Sequence, residues 1–522
     1  MGTFSRRRVL RAALAGCGAA LWPAPGPFAQ GSSAQLLRAR KEALVIGNGK
    51  YRHAPLKNPP NDARGMAEEL KKAGFGVTLG LEMTQADMRG AIRAFGENLA
   101  RARAVGLFYF AGHGAQLAWR NYLIPVDAEI GDVQELRERG VDVNSLIEGI
   151  RKAGNPMNVI ILDACRDNPF GSVARVDQKG LSQLDAPVGT LLAYATAPGN
   201  TAIDGDGNNG LYTEHLLREM RVPEAKIEDV FKRVRLGVRR RSNGLQIPWE
   251  STSLEEDFWF IPPRELKKLA DAELELEFKQ ELALWEKIQN ATQPEPLEDY
   301  LRRYPSGRFA ELAQLQLDRA LAKLGEKKVE PVRAPENPYS KGSAAANTAY
   351  KVGDTYSYRR FDLLTKIEGR PFTERVTEIT ENQVIYNRRT YITDLLGNTL
   401  TMRSGAEWSP NQTAPSDFTV GKRWRTRFNW ARDKGGDGVV DLELRIADRE
   451  QVTVPAGAFN AFRVEAAGWL YRGGKGDQMW NWKTWYAPEQ VRRPVAYEWL
   501  NRHANRRIAQ STRYELAAFK QS

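Results

Sequence analysis

Two apolar runs in this sequence end on side chains that could do nucleophilic chemistry. Residues 159–162 (VIIL) run straight into Asp163-Ala164-Cys165-Arg166-Asp167. Residues 104–110 (AVGLFYF) break into Ala111-Gly112-His113-Gly114. Short β-branched and aromatic runs of this kind read as strands buried on both faces of a sheet. A thiol and an imidazole then stand at the carboxyl ends of two strands, the edge where open α/β sheets place their chemistry. The competing reading makes Cys165 a small buried hydrophobe, the commonest fate of a free cysteine. Arg166 beside it favours the thiolate, and Asp163 and Asp167 make a poor apolar surrounding. His113 is one of four histidines, and glycines on either side suggest a sharp turn that leaves the imidazole uncovered. An imidazole next to a thiol can take its proton and raise its nucleophilicity.

His113 and Cys165 are 52 residues apart, and a gap of roughly 50 marks the caspases. The segments FYFAGHGAQ, NYLIPVDA, IILDACRDNPF and AYATAPGNTA occur in the same order as in the caspase-like peptidases of bacteria, close to the metacaspases. The chain resembles that family over about 42–260. The resemblance implies a cysteine endopeptidase with a Cys165–His113 dyad. Backbone amides around Gly114 and Cys165 would hold the oxyanion. Metacaspase-like enzymes cut after Arg or Lys with acidic residues in the first pocket, and the resemblance assigns Asp163 and Asp62 to it. A carboxylate pair in a recess suits a buried guanidinium, although Asp62 would also suit the first turn of a helix on dipole grounds alone. Residues 171–188 fall where the family has its inter-subunit linker, so Arg175 and Lys179 are candidate self-processing sites in a polar segment open to nicking. No cofactor is expected. Metacaspases often need calcium, and Asp127, Glu129, Asp132 and Glu135 offer oxygens, but without an ordered calcium-loop spacing.

The elements that must position these residues alternate. Strands are predicted at 42–46, 77–79, 104–110, 159–162 and 191–195. Helices are predicted at 61–73, 85–102, 143–153, 211–221 and 226–241. Such alternation calls for a mostly parallel sheet with helices on both faces. Arg239-Arg240-Arg241 falls at a helix end, where positive charge suits the dipole. Residues 264–325 show near-helical apolar spacing and resemble one helix-turn-helix unit of tetratricopeptide type. One unit cannot bury its own face, so it should pack on a neighbouring domain or a partner. Residues 326–347, basic and proline-containing, read as a linker. Residues 348–518 switch to period two and read as an antiparallel β domain, a curved sheet or partial barrel. Eight of the thirteen tryptophans lie there. They read as core filling first, and as a groove for glycan or lipid second. The stretch 452–459 (VTVPAGAF) resembles a recurrent hairpin of bacterial envelope β domains.

Residues 1–30 read as a targeting segment. Arg6-Arg7-Arg8 resembles the twin-arginine export motif, and the apolar stretch 12–22 is too short to span a bilayer. Cleavage after Ala29 gives a periplasmic protein. Leu14-Ala15-Gly16-Cys17 offers a lipid anchor, and with it a membrane attachment, as the alternative. The formal net charge is +12, and the leader carries four arginines and no acid. The remaining balance is mildly basic, with no basic-aromatic block that would suggest nucleic acid. The chain has two cysteines, Cys17 and Cys165, so a form cut after Ala29 has one free thiol and no internal disulfide. The resemblance implies protein or peptide substrates as partners, with an envelope protein as a further partner of the helical and β regions. The rival to a peptidase is a caspase fold kept as a scaffold, with those regions doing the binding.

Overall fold

The computed structural model describes residues 30–164, 180–202, 207–266, 271–331, 336–432 and 436–522. Helix α1 (Gln30–Arg38) leads into β1 (Lys41–Gly47), α2 (Pro59–Lys72), β2 (Gly76–Leu81), α3 (Gln85–Ala102) and β3 (Val105–Ala111). Then come β4 (Gly114–Leu117), β5 (Arg120–Leu123), α4 (Val133–Arg139), β6 (Val141–Asp142), α5 (Val143–Ala153) and β7 (Asn158–Asp163). The unit closes with β8 (Thr190–Tyr194), α6 (Leu211–Glu219), α7 (Ile227–Arg241) and β9 (Trp249–Thr252). The main sheet has the order β2-β1-β3-β7-β8-β9. Every pair is parallel except β8–β9.

The continuous apolar runs follow from burial on two faces. In β3, Leu107 and Tyr109 join Met66, Leu70, Leu216 and Phe231 on one side. Phe108 and Phe110 join Phe95, Leu99, Leu146 and Ile150 on the other. Each Leu, Ile, Met or Phe side chain so removed from water contributes about 1.5–3 kcal/mol. The antiparallel strand β9, the small sheet β4-β5-β6, and α1 and α4 add to the predicted elements. The strand pair β4–β5 has only four residues a side, too short to show a period.

Three helices follow, where the spacing suggested a single helix-turn-helix: α8 (Asp271–Ile288), α9 (Pro294–Arg303) and α10 (Ala310–Lys323). Phe278, Trp285, Leu297, Tyr300, Phe309 and Leu317 form their core, and Leu236 of α7 joins it. Leu276, one of the apolar residues in that spacing, is 57% exposed. The Arg239 cluster does more than meet a helix dipole. The Arg239 guanidinium is buried and bonds Asp318 at 2.5 Å and Glu326, and Arg240 pairs with Glu298 at 2.6 Å.

The described part of the predicted linker is not a free spacer. It is pinned to the α/β unit before strand β10 (Ser343–Ala345). The C-terminal region goes beyond a partial barrel: twelve antiparallel strands close on themselves. The first barrel strand, Thr355–Phe361, pairs with the last, Ile508–Lys520. The expected hairpin is present, with Val454 opposite Gly457. Trp408, Trp430, Trp480 and Trp482 are buried in one barrel core, and Trp408 stacks on Phe428 at 4.7 Å. The barrel abuts the edge strand β9. A Cβ on Gly421, whose φ is +95°, would stand 2.4 Å from the Thr252 carbonyl oxygen.

Candidate active site

Strands β3 and β7 run side by side with Ala111 opposite Asp163. The Gly112 amide extends the pairing by donating to the Asp163 carbonyl at 3.3 Å. His113 and Cys165 therefore each follow the same rung of the sheet by two residues. Cys165 itself, with Arg175 and Lys179, lies outside the described residues.

The flanking glycines do not leave His113 uncovered, as the sequence suggested; its side chain is buried. Their role is to let other groups come close. A Cβ on Gly112, whose φ is +155°, would meet the Tyr51 hydroxyl at 2.5 Å, and a Cβ on Gly114 would meet the Ala164 carbonyl at 2.6 Å. Tyr51 is the residue that covers the imidazole, with ring centroids 4.4 Å apart. Its hydroxyl accepts from the His113 amide at 2.9 Å and donates to the Ile124 carbonyl at 3.1 Å. His113 Nε2 stands 2.7 Å from the Ala54 carbonyl oxygen. A carbonyl only accepts, so Nε2 carries the hydrogen and Nδ1 is the basic nitrogen. Ala54 sits at φ 53°, in the left-handed region, in a loop closed by the Leu56 amide on the Gly49 carbonyl at 2.8 Å.

The two aspartates converge on one helix end. Asp62, in the first turn of α2, is buried and accepts from the Gly210 amide and from Asn209 Nδ2, both at 2.9 Å. Asp163 is partly accessible and accepts from the Thr213 hydroxyl at 2.8 Å. Thr213 in turn accepts from the Tyr109 hydroxyl at 2.6 Å, since its own hydrogen goes to Asp163. Residues 209–213 form the N-terminal end of α6, where partial positive charge favours anions. Burial pushes the Tyr109 phenol well above its ordinary range, and the Asp163 and Asp62 carboxylates push it further. Both acids thus act on the same buried ring. Tyr51, Ala54 and Thr213 were not singled out from sequence. Ala54 works through its carbonyl, which carries no residue-type signal.

The four acids considered for calcium take separate partners. Asp127 accepts from the Gln85 amide at 2.9 Å, Glu129 pairs with Arg52, Asp132 caps α4, and Glu135 accepts from the Gly131 amide at 2.6 Å. The Arg52 guanidinium holds the Glu129 carboxyl below its usual range. Among the described residues no three His, Cys, Asp or Glu side chains gather as a metal would need.

Comparison with known proteins gives this geometry a context. Residues 40–259 match the peptidase C14 family, the caspase domain. The chain is similar to mucosa-associated lymphoid tissue lymphoma translocation protein 1 of Homo sapiens, 29% identical over 187 residues, which is 35% of this chain and 22% of that protein. The homologue of that protein in Mus musculus is 28% identical over the same length and shares. The chain thus spans about a fifth of the length of these curated relatives. The matched stretch, 40–259, holds β1 through β9 together with His113, Asp62 and Asp163: it is a caspase domain.

Proposed function

We propose that this protein is a cysteine endopeptidase that cleaves after Arg or Lys. The observation that carries the reading is the His113 geometry. An imidazole with Nε2–H fixed on a backbone carbonyl, just beyond a strand adjoining the one that leads into Cys165, is poised to accept a proton at Nδ1. Cys165 attacks the scissile carbonyl as its proton passes to His113, and His113 then gives that proton to the leaving amine. Amides at Gly114 and Cys165 hold the oxyanion. Asp163, the more accessible acid, meets the substrate guanidinium or ammonium. Asp62, buried beside α6, adds its field from beneath. An aspartate substrate would face like charge there and lose its hydration. In the same reading, residues 1–30 direct the chain to the periplasm by the twin-arginine route, with a lipid anchor at Cys17 as the alternative. The mass of the mature protein separates the two.

A panel of fluorogenic peptides with Arg, Lys or Asp before the scissile bond tests the function. Arg and Lys peptides should be cut and the Asp peptide should not. Cys165→Ala and His113→Ala should each abolish turnover without unfolding the protein, because the pair works as a unit. Unchanged turnover in either variant, or cleavage after Asp alone, would overturn the reading.

A further inference from the structure

We propose that Asn337, which lies in the sequence beyond the caspase domain, is a positioning residue for the active site, acting through Ser182 and Gln183. The proposal rests on the peptidase reading above.

Residues 180–184 leave the stretch that follows Cys165 and approach β8. They were expected to be irregular and polar, yet Leu181, Ser182, Gln183 and Leu184 are all buried. Two asparagines grip them. From within the domain, Asn121 of β5 takes both backbone groups of Ser182. Its Oδ1 accepts from the Ser182 amide at 2.7 Å and its Nδ2 donates to the Ser182 carbonyl at 2.8 Å. From outside, Asn337 Nδ2 donates to the Ser182 hydroxyl at 3.1 Å and to the Gln183 carbonyl at 2.7 Å. Asn337 is itself buried, and its Oδ1 accepts from the Tyr339 amide at 2.9 Å. The same strap continues the grip. The Asp185 amide donates to the Tyr339 carbonyl at 3.1 Å, and the Asp185 carboxylate accepts from Ser340 Oγ and the Lys341 amide, both at 2.7 Å.

The gripped residues touch the site. Leu181 Cδ2 stands 3.0 Å from where a Cβ on Gly114 would lie, beside the Ala164 carbonyl. The Gly199 amide donates to the Leu181 carbonyl at 3.1 Å, which ties the segment to the loop leaving β8. That loop is held by the accessory region too, because Asn200 Nδ2 donates to the Glu330 carbonyl at 2.9 Å. The backbone around Gly114 thus has a wall at Leu181, in a segment bonded to residues 337–341 and beside a loop bonded to Glu330. A donor pair anchored 154 residues away in sequence fixes that wall at small entropic cost once the accessory domain has folded.

Hydrogen exchange and steady-state kinetics on the full chain test this. Asn337→Ala removes both donations. Asn337→Asp keeps the shape and the Tyr339 bond but cannot donate. In both, exchange within 180–186 should quicken on the order of 10-fold, as expected for two lost hydrogen bonds. The kcat on an Arg peptide should fall by a similar factor with KM changed less than about twofold, and barrel protection should be unchanged. Faster exchange with an unchanged kcat would overturn the positioning role, and so would unchanged exchange. If Asn337→Ala lowers protection throughout the chain, Ser340→Ala, which removes the bond to Asp185, is judged on the same two criteria. A wild-type protein that cuts no peptide sinks the peptidase reading itself; the clamp is then decided by exchange alone.

Discussion

Thr213 joins a buried phenol to the Asp163 carboxylate, which the proposed function assigns to the substrate pocket, and its hydroxyl holds Asp163 by a hydrogen bond. Thr213→Val keeps the volume and removes the hydroxyl. Asp163 then loses a hydrogen bond to a charged acceptor, worth about 1.5–3 kcal/mol. KM for an Arg peptide should rise on the order of 10-fold, with a smaller change in kcat. Equal kinetics in Thr213→Val and wild type would show that Thr213 does not position Asp163. At this scale the sequence is uneven. His113 and Cys165 stand out because each follows a buried strand, and their residue types have few other reasons to be there. Asp163 comes with them. Thr213 sits inside an amphipathic helix and looks like any helical threonine. Tyr51 resembles any loop tyrosine, and its contact with His113 depends on a turn that only Gly112 permits.

Helix α7 joins the α8–α10 unit to the α/β unit. Arg239 reaches from it into the α8–α10 unit, where Glu326 is as buried as the guanidinium. Burial tends to lower the Arg239 pKa, but Glu326 and Asp318 outweigh it, and the net shift is upward. Arg239→Met leaves Glu326 buried without its cation. Breaking a buried pair from one side costs about 3–5 kcal/mol. Thermal unfolding of Arg239→Met should show that loss, and Arg239→Met with Glu326→Gln should recover part of it. A single variant as stable as wild type would mean the pair does not fasten the two units. The period of the sequence reveals elements well where they are long: α3 and α5 have the predicted bounds. It fails where an element is short or gripped from elsewhere. Strand β9 has four residues and no alternation. Residues 180–184 look like an exposed polar loop, yet they are buried, because Asn121 and Asn337, far off in sequence, take the Ser182 backbone and hydroxyl and the Gln183 carbonyl.

The whole molecule is held together across the stretch where cleavage is proposed. An enzyme that prefers basic residues, tethered to Arg175 and Lys179, meets them at high effective concentration. We propose cleavage after one of them. The halves should stay together: β7 and β8 pair along Asn158–Thr190 to Leu162–Tyr194, and the 337–341 strap holds residues on the far side of the cut. Denaturing mass measurement should show two fragments and native size exclusion one particle. Fragments that separate under native conditions would contradict this. A Cys165→Ala protein cut at the same place would point to a different protease.

Barrel closure has a consequence for biosynthesis. The closing pair joins the strand that begins at Thr355 to the one that ends at Lys520, with Tyr356 and Gln521 also bonded across 165 residues. A ribosome must release the whole of that stretch before the cylinder can shut. Until then, Thr355–Phe361 presents an open row of amides and carbonyls, the surface that recruits stray strands. Contacts so distant in sequence also form slowly. A translation stall within the barrel, or loss of residues 508–520, should therefore yield aggregates from a chain whose caspase domain is already complete in sequence, and chaperones would meet this protein at its accessory end.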